Sequence, residues 1–566
     1  MQLTRPHAFA ATFIPEGCPT FAELLAKLAA ESDFCSDRVR DMSSGLRRVA
    51  KALNRPPEDV FCDPRWLQSR LSKIEPAQLG LSRKAWQNAI SDAKAAMAHY
   101  GIVKGKNNSI KDLSPAWREL WQQVTVSGDL GMAAGLRRFV FFLNRAGIAP
   151  TEVTDQDALN YRFGIEEQEI SRSPEVAYRA AVNAWNRASK QIADWPKIVL
   201  VLPNRQKVVQ IAEGVLPASF NADLERFLDF LAVADPFADE APTKALRPTS
   251  ILHYRRLILR FAGEAVHSGT DAATVLDLAA LTEPGLVERT LRYMLQANGQ
   301  KSSPSICQTT RLLGRVAMWS GAPDGHHRQL VKLAKKVAVP HHTAMTPKNR
   351  ARLRVLQNDA NLFRLLDLPE KLFKAKVGKN SGQRLALARE DALAIAILQY
   401  CPIRAQNLSQ IHLEHTIQRP GDGRAYLVFE DDEVKNSRPL EFEIPSDVIK
   451  MIDTHLQTRC PMLCPPGTPW LFPKRDGSSA IGTSELARRI SKRILKETGL
   501  EVNAHLFRHL AVMLHLDHNP GAYEAATRLL GHSHTGRTIR VYSGMETRSA
   551  TKAFSDLVTA KKKGKR

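Results

Sequence analysis

The sequence predicts a mostly helical protein that ends in an α+β domain with a small antiparallel sheet. Three observations predict it. Apolar residues recur at helical spacing through most of the first 425 residues, with a strong example at Leu385–Tyr400. Tyr426–Phe429 and Leu440–Ile444 then switch to strand patterning, with Asn436 and Ser437 at a turn between them. Helical spacing returns at Ser446–Gln457, Ser484–Thr498, Leu506–Leu516 and Gly521–Leu530. The last of these has Asn519 placed to cap, Pro520 at the first helical position and Gly531 to terminate.

The elements before the sheet carry a recurring pattern. Gly45-Leu46-Arg47-Arg48 leads to Leu53-Asn54-Arg55, and Gly135-Leu136-Arg137-Arg138 leads to Leu143-Asn144-Arg145 at the same spacing. A looser copy runs from Tyr254-Arg255-Arg256 to Phe261. Each is followed by a helix start, at Ser82, at Ser173-Pro174 and at Ser303-Pro304, and then by Trp86, by Tyr178 with Trp185, and by Trp319. This reads as three related helical modules or as common basic amphipathic helices, and one sequence leaves both open. Linkers are expected at Lys104–Asn108, Pro203–Val215 and Ala234–Pro248. From Gly325 to Arg354 there are eight Lys or Arg, four His and no carboxylate. That run is expected to form a basic strap along a nucleic-acid backbone.

A chain of 566 residues exceeds one ordinary core, so two to four domains are expected. The boundaries drawn are 1–110 and 111–205 for two helical modules, 215–335 for a third, and 345–566 for the α+β domain. No apolar run of about 18 residues is present, and the N-terminus lacks a secretory core, which argues for an intracellular protein. Seven cysteines form no paired framework. Cys460 and Cys464 are near each other but lack a second pair at zinc spacing, so they are read as loop thiols. The formal charge of +22 points to a polyanionic partner, and without an amphipathic anchor or lipidation motif nucleic acid is preferred over membrane.

The C-terminal region concentrates chemistry-bearing residues. Cys401-Pro402-Ile403-Arg404 is followed by Lys435 just before the β turn, then His505-Leu506-Phe507-Arg508-His509, then Leu529-Leu530-Gly531-His532, and Tyr542 ten residues later. In this order, Arg, Lys, His-x-x-Arg, His and Tyr, the sequence resembles the tyrosine recombinase (phage integrase) family. The resemblance covers residues 345–560 and, more loosely, 220–320, which look like that family's helical core-binding (SAM-like) domain. No family is placed on residues 1–200.

The resemblance implies a metal-free, ATP-independent transesterification with no cofactor. Tyr542 would attack a phosphodiester and hold the DNA as a 3′-phosphotyrosine, which conserves the bond energy. Arg404 and Arg508 would grip the non-bridging oxygens as planar forks, stabilising transition-state charge. Lys435 would protonate the leaving 5′ oxygen, His505 would act as base or positioning group, and His532 would donate to the phosphate. Two positions depart from the family's pattern. Asn407 stands where a carboxylate is usual, three residues after Arg404, and Pro402-Ile403 replaces a Gly-Leu.

The same residues admit competing readings. His505 with His509, and His532 with His534, have spacing suited to metal ligands, but Arg508 lies between the first pair and no carboxylate or Cys set accompanies them. His509, His515, His518 and His534 are therefore read as packing or surface residues. Tyr523 competes as nucleophile but precedes the Gly-His element. The resemblance further implies double-stranded DNA as partner, closure of the last two domains around the duplex, and a tetramer on paired sites acting in integration, excision or transposition of a mobile element. The setting implied is the bacterial cytoplasm, at the nucleoid. Ala553–Val558 would contact a neighbouring protomer, and Lys561–Arg566 is read as a disordered phosphate-binding tail. A type IB-like topoisomerase and a non-cutting DNA-binding protein with a degenerate site are the alternatives.

Overall fold

The computed structural model describes residues 17–31, 35–104, 109–203, 211, 214–234, 237, 245–340, 345–375, 382–431, 433–434, 438–542 and 547–563. They form a mostly helical protein with one three-stranded antiparallel sheet. Two compact units result: Met1–Leu202 together with Thr343–Arg566, and Pro203–His342. Among the described residues no helix is long and apolar enough to cross a membrane. The expected linkers fall largely outside the described residues.

In the first unit, α1 (Phe21–Ala29), α2 (Ser36–Ala52), α3 (Pro64–Leu71) and α4 (Arg83–His99) surround a core that includes Phe21, Leu46, Trp66 and Met97. A second core, with Trp117, Phe139, Tyr178 and Trp185, is built by α5 (Pro115–Val126), α6 (Leu130–Arg145), α7 (Asp155–Gln168) and α8 (Pro174–Gln191). Ser82 and Ser173 cap α4 and α8, each hydroxyl accepting a backbone N–H of the first turn.

The two Gly-Leu-Arg-Arg copies do the same mechanical job. A Cβ on Gly45 would lie 2.7 Å from the Ala93 nitrogen of α4, and one on Gly135 would lie 2.7 Å from the Ala184 Cβ of α8. Both glycines let two helix backbones approach closely. The looser copy places the exposed His253 at the matching position, so it lacks this crossing. Gly45→Ala and Gly135→Ala are each expected to cost about 2 kcal/mol through overpacking. Gly314→Ala meets open space in mid-helix, and should instead gain up to about 1 kcal/mol. Urea midpoints followed by circular dichroism measure all three.

The second unit contains α9 (Ala218–Ala232), α10 (Pro248–His267), α11 (Leu278–Leu281), α12 (Pro284–Ala297), α13 (Pro304–Trp319) and α14 (Asp324–Lys336). Its core includes Phe220, Phe227, Phe261 and Leu313. Ser303 caps α13 through the Ile306 N–H.

The rest of the first unit begins with α15 (Pro347–Leu356), α16 (Asp359–Leu366), α17 (Leu368–Lys374), α18 (Gly382–Tyr400) and α19 (Ala405–Ser409). The sheet follows in the order β1 (Ile417–Gln418), β2 (Tyr426–Phe429) and β3 (Leu440–Glu443), with Phe429 paired to Leu440 and Tyr426 to Glu443. It is followed by α20 (Ser446–Arg459), α21 (Thr483–Thr498), α22 (Ala504–His518), α23 (Tyr523–Leu529), α24 (Thr535–Tyr542) and α25 (Thr547–Lys563).

Three expectations are corrected. The basic run is no extended strap. Its first part is α14, held by buried Leu330, and its last part is α15, held by buried Leu353 and Leu356. The helix placed at Gly521 starts at Tyr523 instead, because Gly521 adopts φ +83° and turns the chain after Pro520. Lys561–Lys563 are the last turn of a helix rather than part of a disordered tail.

A buried ion network fixes α18 to α21. Glu390 and Asp391 are almost fully covered, and Arg489 and Arg493 reach them at 2.6–2.8 Å. His455 lies fully buried near Arg459, Arg389, Arg489 and Arg475. Burial first, and those charges second, push its imidazole down to about 3.

Candidate active site

The site is built from the ends of four elements. Ala405–Ser409 form a short helix for which Arg404 is the N-cap residue, which puts the Arg404 side chain at a helix start just past α18. Asn503 caps α22 by accepting the Leu506 N–H at 2.9 Å, and the first turns of that helix carry His505, Arg508 and His509. Gly531 follows α23 at φ +58°, where a Cβ would lie 2.5 Å from Leu440 Cδ2. Glycine at that position lets the turn bearing His532 press against the first residue of β3. Tyr542 is the last residue of α24.

Arg508 is the hub. It is 3% exposed, and its two terminal nitrogens donate to the Pro402 carbonyl at 2.6 Å and the Leu530 carbonyl at 2.7 Å. Those carbonyls lie two residues before Arg404 and two before His532. One guanidinium thus ties together the backbones that carry two other predicted site residues. His505 is close enough to Arg508 and Arg404 to feel both charges. Desolvation, then Arg508, then Arg404 lower its pKa, so the neutral imidazole is favoured.

Tyr542 is 2% exposed, and its hydroxyl is hydrogen-bonded to His509 Nδ1 at 2.8 Å. His509 is itself pushed down to about 3, by burial first and then, in acid where the other imidazoles are protonated, by His505, Arg508 and His532. It is a neutral partner for the phenol. His532 is oriented by a 3.0 Å bond between its Nδ1 and Thr538 Oγ1, which in turn bonds Thr527 Oγ1 at 2.8 Å.

His505, Arg508, His532 and Tyr542 therefore lie around His509, and Arg404 is near enough to His505 to act on it. Lys435, Asn436 and Ser437 lie outside the described residues. Nearby, Val434 is buried, and Asn407 Nδ2 donates to the Glu433 carbonyl at 3.5 Å. The amide at 407 links the Arg404 helix to the turn leading to Lys435, where a carboxylate could not donate. The sequence reads His509 as a packing or surface residue, whereas in the structure its ring holds the Tyr542 hydroxyl. The available signal was its i,i+4 relation to His505 on an otherwise apolar helix face.

Among the described residues the three-ligand group is His412, Glu414 and His415, with the last two exposed. His412 Nδ1 already accepts the backbone N–H groups of Glu414 and His415. The Sγ atoms of Cys460 and Cys464 lie 3.5 Å apart as free thiols.

The two neutral buried histidines make a pH prediction. Folded His509 and His455 sit near 3 against 6.5 unperturbed, so the unfolded chain binds protons that the folded chain refuses. Their stability is fully present above the unperturbed value and drains as pH falls from there toward 3. The expected loss by pH 5 is roughly 2 kcal/mol for each. Urea midpoints at neutral and acid pH measure the loss, and His455→Leu should remove about half of it.

No family model matches the sequence, and no curated protein matches it. Among solved structures the chain is similar to XerH site-specific recombinase bound to its difH substrate in a pre-cleavage complex. That match has 14% identity and a TM-score of 0.28, covering 53% of this chain and 94% of that one. It is also similar to XerH bound to palindromic difH in a post-cleavage complex, at 13% identity, TM-score 0.34, and 79% and 99% coverage. A third is XerA recombinase, at 14% identity, TM-score 0.25, and 59% and 98% coverage.

Proposed function

We propose that this chain is a site-specific DNA recombinase that cleaves and rejoins DNA through a 3′-phosphotyrosine on Tyr542. The observation that carries the reading is the clustering of two arginines, two histidines and a tyrosine whose hydroxyl is held by a neutral imidazole. Attack by the Tyr542 oxygen on phosphorus would break the P–O5′ bond and form the Tyr–O–P bond. His509 Nδ1 would hold the phenol through its hydrogen bond, His505 as the candidate base would take the phenol proton, and the 5′ oxygen would take a proton from Lys435. Arg404 and the Arg508 charge would stabilise the developing oxyanion, with His505 and His532 completing the contacts.

Because Tyr542 is covered, DNA binding would have to shift α24 to bring its oxygen to the phosphate. Phe554 and Leu557 are 66% and 56% exposed on α25, the helix that follows, which fits an apolar contact with a second protomer in an assembly on paired sites. The use in integration, excision or transposition of a mobile element belongs to the same reading. The test is covalent capture. The protein is mixed with a nicked suicide duplex carrying a site it selects from a random library, and a denaturing gel should show a protein–DNA adduct. Failure to form any adduct on selected sites overturns the reading. Relaxation of arbitrary supercoiled plasmid would redirect it to a topoisomerase.

A further inference from the structure

A cavity of about 370 Å³ opens between the first two helical modules, on residues the cleavage chemistry does not use. We propose that it binds a nucleotide, with the phosphate among Lys104, Arg138 and Arg145 and the ring against Phe142.

The charge balance argues first. Lys94, Lys104, Arg138 and Arg145 line the cavity, against Glu167 and Glu169. Glu169 is shared, at 3.1 Å from Lys94 Nζ and 2.6 Å from an Arg138 terminal nitrogen. Glu167 is engaged by Arg65 at 3.3 Å. No carboxylate pairs with Lys104 or Arg145 among the described ion pairs. Positive groups crowded in a partly covered space raise each other's energy, and a phosphate relieves this. Arg172 lies near Arg138, and burial first and then that charge lower its guanidinium pKa.

The shape argues second. Gly164 carries no side chain, and a Cβ there would lie 3.4 Å from the Phe142 ring. The Phe142 ring thus forms an apolar wall beside the cations, with Tyr161 set against it at 5.5 Å. Burial pushes the Tyr161 phenol up to about 12, so it keeps its proton and stays a donor. The volume falls in the range of small-ligand sites.

The walls are also fixed. Gln68, on α3 of the first module and 4% exposed, donates to the Ile165 carbonyl at 3.0 Å and the Glu169 carbonyl at 2.6 Å in the second. Lys94 crosses the same boundary to Glu169. Such a preformed pocket, set between two modules, favours one nucleotide over the broad face of a duplex. The nucleotide can be free or can belong to a single strand, and both present the same phosphate and ring.

The experiment is calorimetric titration of the full chain with deoxythymidine monophosphate, thymidine and a short single-stranded oligonucleotide at physiological salt. The expected result is binding of the monophosphate at one site, at least about tenfold tighter than thymidine. Arg145→Glu and Lys104→Glu, both at exposed positions, should each weaken it by about tenfold or more with unchanged circular dichroism. Arg404→Gln should leave it intact, which separates this cavity from the cleavage site. Displacement of the oligonucleotide by the monophosphate would identify the strand as the source, and its absence the free nucleotide. Absence of monophosphate binding, or binding indifferent to both charge reversals, overturns the proposal without touching the cleavage reading.

Discussion

Replacing Tyr542 by Phe is expected to abolish the covalent protein–DNA adduct while leaving the fold almost untouched. The substitution deletes a single oxygen. The ring stays in a core that already covers all but 2% of the residue, so its packing is retained. What is lost is the hydrogen bond to His509 Nδ1, worth about 1 kcal/mol net in a buried setting. The effect on chemistry is of another order, because no phenyl carbon can attack phosphorus. Adduct formation should fall below detection, while DNA binding by gel shift changes little. Tyr523→Phe is the matched control and should retain the adduct. His509→Phe tests the partner: it fills the same space without an acceptor, and should slow adduct formation without eliminating it. An adduct that survives in Tyr542→Phe would refute the assignment of the nucleophile.

Much of the fold is visible in local chemistry. Tyr426–Phe429 alternates partly and fully buried residues, as a strand of one-sided sheet must, and Leu440 opens the partner strand in register. Ser82, Ser173 and Ser303 cap helices because a hydroxyl at that position satisfies an orphan N–H. The failures also have local causes. Pro520 reads as a first helical residue until Gly521 takes positive φ, which no sequence position announces. The basic run from Gly325 to Arg354 hides Leu330 and Leu353, apolar anchors of two helices, behind its charge.

At the candidate site the residue types that the proposed phosphoryl chemistry needs are legible, because that chemistry restricts them to few choices. Their supports are not. That Arg508 would spend its two terminal nitrogens on the carbonyls of Pro402 and Leu530, and that His509 would turn toward Tyr542, depend on how α22 meets chain segments far away in sequence. Spacing along one helix cannot specify that.

The support role of Arg508 yields the second large effect. Arg508→Lys keeps the charge but not the fork. An ammonium on a flexible stem cannot hold the Pro402 and Leu530 carbonyls along two fixed directions. At least one carbonyl is left buried without its charged donor, which costs about 1.5–3 kcal/mol. The loss lands on the segments that carry Arg404 and His532, so both should be misplaced together. Adduct formation is expected to fall by about 100-fold or more, in line with removal of a preorganised oxyanion donor. Arg404→Lys offers the contrast. Arg404 is only partly buried, so its replacement should slow the chemistry with a smaller change in urea midpoint. A purely phosphate-gripping Arg508 predicts equal stability losses for the two lysine variants. A hub predicts that Arg508→Lys loses clearly more, and that Arg404→Lys in the Arg508→Lys background adds less than its single effect, because the phosphate contact is already disturbed. Equal midpoints with additive rate losses would show that the carbonyl bonds of Arg508 do not organise the site.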